Sequence, residues 1–216
     1  MAIVRYPDLP PYPEDFAPPR RVSLDEYLRL EHELPATYEF HDGLMYPRFY
    51  PPGSHWAMAG GTVAHDDLIV RIITALSVHL GTRGPCKVHT SDLKLRAADN
   101  AYYPDAYVAC SEIHARQTAL NDATLICEVR SQSTAEFDRG DKFASYQSLA
   151  SLCEYLILDN RRPLATLYRK ADDGTWTLLA FSAGTTLPLT SIGLDLPVDR
   201  IYDGVTLDPD PASGDE

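Results

Sequence analysis

Apolar residues recur along this chain with two periods, and the changes of period mark out its elements. Between positions 62 and 80, Leu68, Ile69, Ile72, Ile73, Leu76 and Leu80 keep the spacing of one helix face, and Gly81 follows as a stop. A shorter helix is expected from Leu24 to about Glu33. Ser23 with Glu26 forms a capping box, Val22 and Tyr27 its staple, and Pro35 lies just beyond. Ser133 with Glu136 repeats the capping pattern and opens a helix expected to reach about Ala150. Strands are expected where the period falls to two, or where β-branched and aromatic residues run together. These are 38–41 and 44–46 around the Asp42-Gly43 turn, 86–97 as two strands or one bent one, then 103–110, 125–130 and 154–159. A hairpin is expected from 166–169 and 176–181 through Asp172-Asp173-Gly174, and 187–202 is expected to wrap the core. That order predicts one α/β or α+β domain, a mixed β-sheet flanked by helices. Pro7, Pro10, Pro11, Pro13, Pro18 and Pro19 forbid helix at the start and predict an extended arm.

Composition changes this picture in only a few places. The 216 residues suffice for a sizeable core, and 44% hydrophobic with 23% charged residues is ordinary for a soluble globular chain. No run approaches the roughly 18 apolar residues of a membrane span, so no membrane partner is expected. The start lacks a basic segment followed by an apolar one, so no secretory signal is read there. Cys86, Cys110, Cys127 and Cys153 lie far apart in sequence and are expected as free thiols in a reducing cytoplasm. The net charge of −12 runs against a polyanionic partner, which calls for basic patches. Basic clusters do occur at Arg20-Arg21, at Lys94 with Arg96, and at Arg161-Arg162.

The candidate chemistry lies between Tyr102 and Tyr146. Asp105 opens one apolar run and Glu128 interrupts another, although acids are almost never buried without partners. Two carboxylates on neighbouring strands suit Mg²⁺ or Mn²⁺, which take hard oxygen ligands and leave positions open for water and phosphate. The Val129 carbonyl can add a third oxygen. Asp138, Lys142 and Tyr146 recur every fourth residue, so Lys142 can bring a cation that holds a water and offsets charge on phosphorus oxygens. Arg130 shares a strand face with Glu128 and can stabilise charge but not give up a proton. Each assignment has a plainer counterpart. Asp105 can cap a turn, Glu128 can form a structural ion pair, and the 138–146 face can be a solvated stripe. Asp92, Lys94 and Arg96 read as a solvent face, and His65 and His79 as packing or surface residues. His41, His55 and His89 converge on no zinc pattern.

Several pieces, in order, resemble the Uma-two endonuclease family of the PD-(D/E)XK restriction-endonuclease-like superfamily. They are Tyr103-Pro104-Asp105, Glu128-Val129 with Ser131, Asp138-Arg139-x-x-Lys142-x-x-x-Tyr146, and Glu154-Tyr155-Leu156-x-x-Asp159. Tyr38-Glu39-x-x-Asp42-Gly43, the His65-led helix, Ser91-Asp92-Leu93-Lys94 and the hairpin with Trp176 fit as well. The resemblance covers 22–204, leaving an arm at 1–21 and an acidic tail at 205–216. It implies a restriction-endonuclease-like fold, with Asp105 and Glu128 as metal ligands. It also implies that the superfamily's strand lysine has moved to the following helix, as Lys142. Arg130 departs from the family, whose members usually carry an apolar residue there. Glu39 matches an upstream acid of many superfamily members. The expected function is metal-dependent phosphodiester hydrolysis by a cytoplasmic homodimer, on DNA in preference to RNA. The alternative is a catalytically silent protein that keeps the fold and binds a protein or nucleic acid.

Overall fold

The computed structural model describes residues 20–34, 37–47, 62–82, 84–130 and 138–208. The proline-rich arm up to Pro19, the 50–61 loop up to Gly61, and the tail beyond Asp208 lie outside the described residues. Two compact units make up the chain, Met1–Gly60 and Gly61–Glu216. The 22–204 domain expected from the sequence spans that division.

In the first unit, β1 (Arg20–Arg21), β3 (Leu44–Pro47) and β2 (Tyr38–His41) form an antiparallel meander beside α1 (Leu24–Glu33). The Ser23 hydroxyl accepts the Glu26 N–H at 3.1 Å, as the capping box requires. Asp42 and Gly43 both have positive φ, 47° and 76°, the conformation of a two-residue hairpin turn. Tyr27 stacks on Phe40 at 5.1 Å and its hydroxyl donates to the Tyr38 carbonyl, fixing α1 to the hairpin.

The second unit begins with α2 (Val63–Leu80), capped by Thr62 and ended at Gly81 with φ 59°. Its core sheet has the order β12 (Trp176–Ser182), β11 (Leu164–Lys170), β10 (Glu154–Asp159), β9 (Leu125–Arg130), β7 (Ala106–Ala109), β4 (Lys87–Thr90). Only β9 and β10 run parallel; every other neighbouring pair in this sheet is antiparallel. The sheet is therefore mixed, and the fold is mixed α/β with few helices. Nearby, β5 (Lys94–Ala97) lies between antiparallel β6 (Asn100–Tyr102) and parallel β8 (Ala119–Leu120).

Side-chain alternation sends β9 and β10 into two separate cores. On one face Leu125, Cys127, Val129, Leu156 and Leu158 meet Leu68, Ile72 and Leu76 of α2. Each such Leu or Ile contributes about 1.5–3 kcal/mol by burial. A hairpin of β13 (Thr186–Leu189) and β14 (Leu194–Pro197), followed by α4 (Val198–Tyr202), packs on the same core. On the other face Ile126, Tyr155 and Ile157 meet Phe143 and Tyr146 of α3 (Phe143–Tyr146), which a π turn over Asp138–Lys142 precedes.

Several expectations need correction. The strand expected over 103–110 is shorter, Ala106–Ala109, and Tyr103-Pro104-Asp105 separates it from the preceding strand Asn100–Tyr102, since Pro104 has no N–H for a ladder. The helix expected to reach Ala150 ends at Tyr146. Lys94, assigned to a solvent face, is buried. Cys86 and Cys110, expected as free thiols, are joined in a disulfide. Lys87 pairs with Ala109 across β4 and β7, so the next residue on each strand faces the other. Among the described residues no helix is long and apolar enough to cross a membrane.

Candidate active site

The register of the core sheet brings the two acids together. Ala106 on β7 pairs with Cys127 on β9, so Asp105, one residue earlier, falls opposite Glu128. The two strands then exchange hydrogen bonds through their acids. The Asp105 N–H donates to Glu128 Oε2 at 3.2 Å, and the Val129 N–H donates to Asp105 Oδ2 at 2.7 Å. Val129 thus enters the centre through its N–H, whereas its carbonyl was the expected ligand.

Each face of the sheet adds a helix residue. From α3 and its π turn, the Tyr146 hydroxyl donates to Glu128 Oε1 at 3.0 Å, and Lys142 Nζ stands 3.6 Å from the same oxygen. Lys142 and Glu128 are buried, with side chains 7% and 5% exposed, so the solvated-stripe alternative does not describe Lys142 and Tyr146. The Asp138 side chain lies outside the described residues. Lys142 Nζ also lies 5.8 Å from the centre of the Tyr102 ring. The Tyr102 hydroxyl and the Asn100 amide both donate to Ser145 Oγ, at 2.8 and 2.9 Å, tying β6 to α3.

From the opposite face, His65 in the first turn of α2 places Nε2 3.5 Å from Asp105 Oδ2. Sequence reasoning set this histidine aside, because apolar spacing cannot say which strand end a helix terminus overhangs. The start of α2 is itself held in place. Thr62 Oγ1 donates to Asp208 Oδ2 at 2.7 Å, and the Asn160 amide donates to the same oxygen at 2.6 Å.

Arg130 goes elsewhere. It is the register partner of Asp159 on β10, and its guanidinium lies 3.8 Å from that carboxylate, which Arg162 also approaches at 3.4 Å. Glu39 lies buried on β2 in the first unit; the centre just described is built from the second. Cys127, next to Glu128 and paired with Ala106, is no nucleophile: burial pushes its thiol well up, and the charges of Asp105 and Glu128 add to this.

Among the described residues no three His, Cys, Asp or Glu side chains gather into a metal cage. The donor set still fits a hard cation of the magnesium type, which typically takes one or two carboxylates and completes its shell with water and phosphate. Asp105 Oδ1 has no hydrogen-bond partner among the described residues, so it is available to such an ion.

Two acids face each other across neighbouring strands of a mixed sheet, with a buried lysine against one of them, and solved structures share the fold. A crystal structure from Anabaena variabilis, described as a putative nuclease belonging to DUF820, superposes with a TM-score of 0.65. The match covers 84% of this chain and 97% of that one at 15% identity, so it speaks for the fold alone. The chain belongs to the Uma2 family, described as putative restriction endonuclease, whose model matches residues 24–199. Two Synechocystis proteins are similar along much of their length. Uncharacterized protein slr1290 is 35% identical over 192 residues, 88% of this chain and 95% of its own. Uncharacterized protein sll1609 is 30% identical over 158 residues, 71% and 83% of the two chains.

Proposed function

We propose that the chain is a Mg²⁺- or Mn²⁺-dependent nuclease with a restriction-endonuclease-like fold, hydrolysing phosphodiester bonds of DNA in preference to RNA. One observation carries this reading: Lys142 and Tyr146 from one face of the sheet, and His65 from the other, converge on the Asp105–Glu128 pair. Asp105 and Glu128 hold the ion, with the Val129 carbonyl as a further oxygen. The bound ion supplies charge neutralisation at the phosphate and a more acidic water. Lys142 orients the attacking water and stabilises negative charge on the phosphorus oxygens. As the water oxygen bonds to phosphorus, the bond to the leaving sugar oxygen breaks, giving a phosphomonoester and a free hydroxyl. Tyr146 fixes the Glu128 carboxylate. The protein acts in this reading as a cytoplasmic homodimer.

Calorimetric titration with Mn²⁺, and cleavage of plasmid and single-stranded DNA, test the reading. Wild type should bind Mn²⁺ and cut, and Asp105→Ala should do neither. Lys142→Ala should lose about 10²–10³ in rate while still showing a cooperative melt, because Glu128 keeps its bonds from Tyr146 and the Asp105 N–H. Arg130→Leu should keep most activity, since Arg130 faces Asp159. An inactive Arg130→Leu beside an active Lys142→Ala would show the lysine to be misplaced. The net charge of −12 favours the alternative, a silent nuclease-fold binding protein. That reading wins if wild type neither binds metal nor cuts.

A further inference from the structure

Away from the carboxylate pair, β5, β8 and the segment after α3 line an open cleft of about 500 Å³. Arg96, Asn121 and Ser148 give it polar walls, Leu120 and Leu149 an apolar floor, and none of its lining residues is acidic. Two other arginines meet carboxylates, Arg130 at Asp159 and Arg169 at Glu154. Arg96 has no such partner among the described residues, and its Nε is buried with no acceptor. A buried donor left unpaired is costly, and the Nε of Arg130 is a second such case. Two positions along β5, burial pushes Lys94 down to about 8, and the Arg96 charge adds to the shift.

The walls specify more than an anion. Ser148 Oγ already donates to the Ser145 carbonyl at 2.7 Å, so it offers a ligand a lone pair, suited to a sugar hydroxyl. Asn121 can both donate and accept. A guanidinium fork suits a phosphate, and the volume falls within the usual range of small-molecule sites.

We propose that this cleft binds a phosphomonoester carried on a sugar, with Arg96 as the phosphate ligand. Its source is either a free nucleoside monophosphate or the phosphorylated end of a nucleic-acid strand. The proposal needs neither Lys142 nor a metal, so it stands or falls apart from hydrolysis.

Calorimetry on the full chain in EDTA, at fixed ionic strength, tests it with AMP, adenosine, and a dinucleotide with and without a 5′-phosphate. AMP should bind saturably and adenosine should not. Arg96→Gln should weaken AMP at least about tenfold, Arg96→Lys less, and the control Arg116→Gln not at all. Arg96→Gln should melt no lower than wild type, because it removes a donor that lacks an acceptor. If it fails to fold, Asn121→Asp carries the test, since a carboxylate in the wall should abolish AMP binding. Tighter binding of the phosphorylated dinucleotide than of AMP names a strand end as the source; the reverse names a free nucleotide. Equal binding of AMP and adenosine, full AMP affinity in Arg96→Gln, or no binding of any probe overturns the proposal.

Discussion

Glu128 shows how much a single residue in a sequence can disclose. An acid inside Leu-Ile-Cys-Glu-Val must have partners, because an unpaired buried charge is too costly to keep. That argument finds Glu128 and Asp105 from the sequence, but it cannot say who the partners are. His65 is the contact the sequence could not disclose, since only the packing of α2 against the sheet brings it 3.5 Å from Asp105 Oδ2. If His65 positions that carboxylate, His65→Ala should lower the cleavage rate about ten- to a hundredfold without lowering the melting temperature. His65→Gln keeps an N–H within reach and should restore most of the rate, whereas equal loss in both variants would count against a positioning bond. Lys94 was misread for a related reason: strand alternation assigns a face, but not what covers it. Its folded pKa of about 8 lies below the ordinary 10.5, so the unfolded chain holds the extra proton between those values. Stability should therefore rise as pH climbs from 8 towards 10, at most about 1.4 kcal/mol per unit. Urea unfolding of wild type and Lys94→Met at pH 7 and 9.5 checks this; the wild-type gain should vanish in the variant.

Elements with strong local signals agree with their sequence. α1 is bounded by its capping box, α2 by Thr62 and Gly81, and β9 and β10 run as their apolar stretches predict. The region around α3 was less legible. A π turn shifts its register and its last turn stops at Tyr146, and apolar spacing encodes neither. The two-residue strand β8 exists only because β5 pairs with it. The third case is the join between β10 and the β13–β14 hairpin. Glu154, fully buried at the start of β10, accepts from Arg169 Nε at 2.8 Å, from the Thr190 N–H at 3.2 Å and from the Ser191 N–H at 3.0 Å. The Arg169 guanidinium also donates to the Pro188 carbonyl. From sequence, Glu154 looked like part of a family motif; in the fold it is the clasp of a turn. Breaking a buried pair from one side costs about 3–5 kcal/mol, so Glu154→Ala should melt roughly 10 °C lower. A melt within 2–3 °C of wild type would mean that hairpin packing alone holds the turn.

At the scale of the whole molecule, charge and cysteine chemistry set the conditions under which the site can work. A chain with a net charge of −12 repels polyanions at long range, so any phosphate it holds must be held by local cations such as Lys142 or a bound divalent ion. The cysteines bear on where that happens. Cys127 is buried and its thiol pushed up, hence inert, while Cys153 is exposed and free. Cys86 and Cys110 close a loop of sequence separation 24 and pin the edge strand β4 to β7, the strand that Asp105 precedes. Sequence spacing gave no hint of this pairing, because only the antiparallel register sets the two residues face to face. Disulfides persist mainly in oxidising compartments, so this one pulls against the cytoplasmic setting expected from composition. A loop of that length should contribute about 3 kcal/mol by restricting the unfolded chain. Protein purified without reductant and then denatured should therefore titrate two thiols, rising to four after reduction. Reduction, or replacement of both Cys86 and Cys110 by Ala, should lower the unfolding free energy by about 2–4 kcal/mol. Four thiols without reductant, together with a melt indifferent to it, would place the protein in its reduced form and restore the cytoplasmic reading.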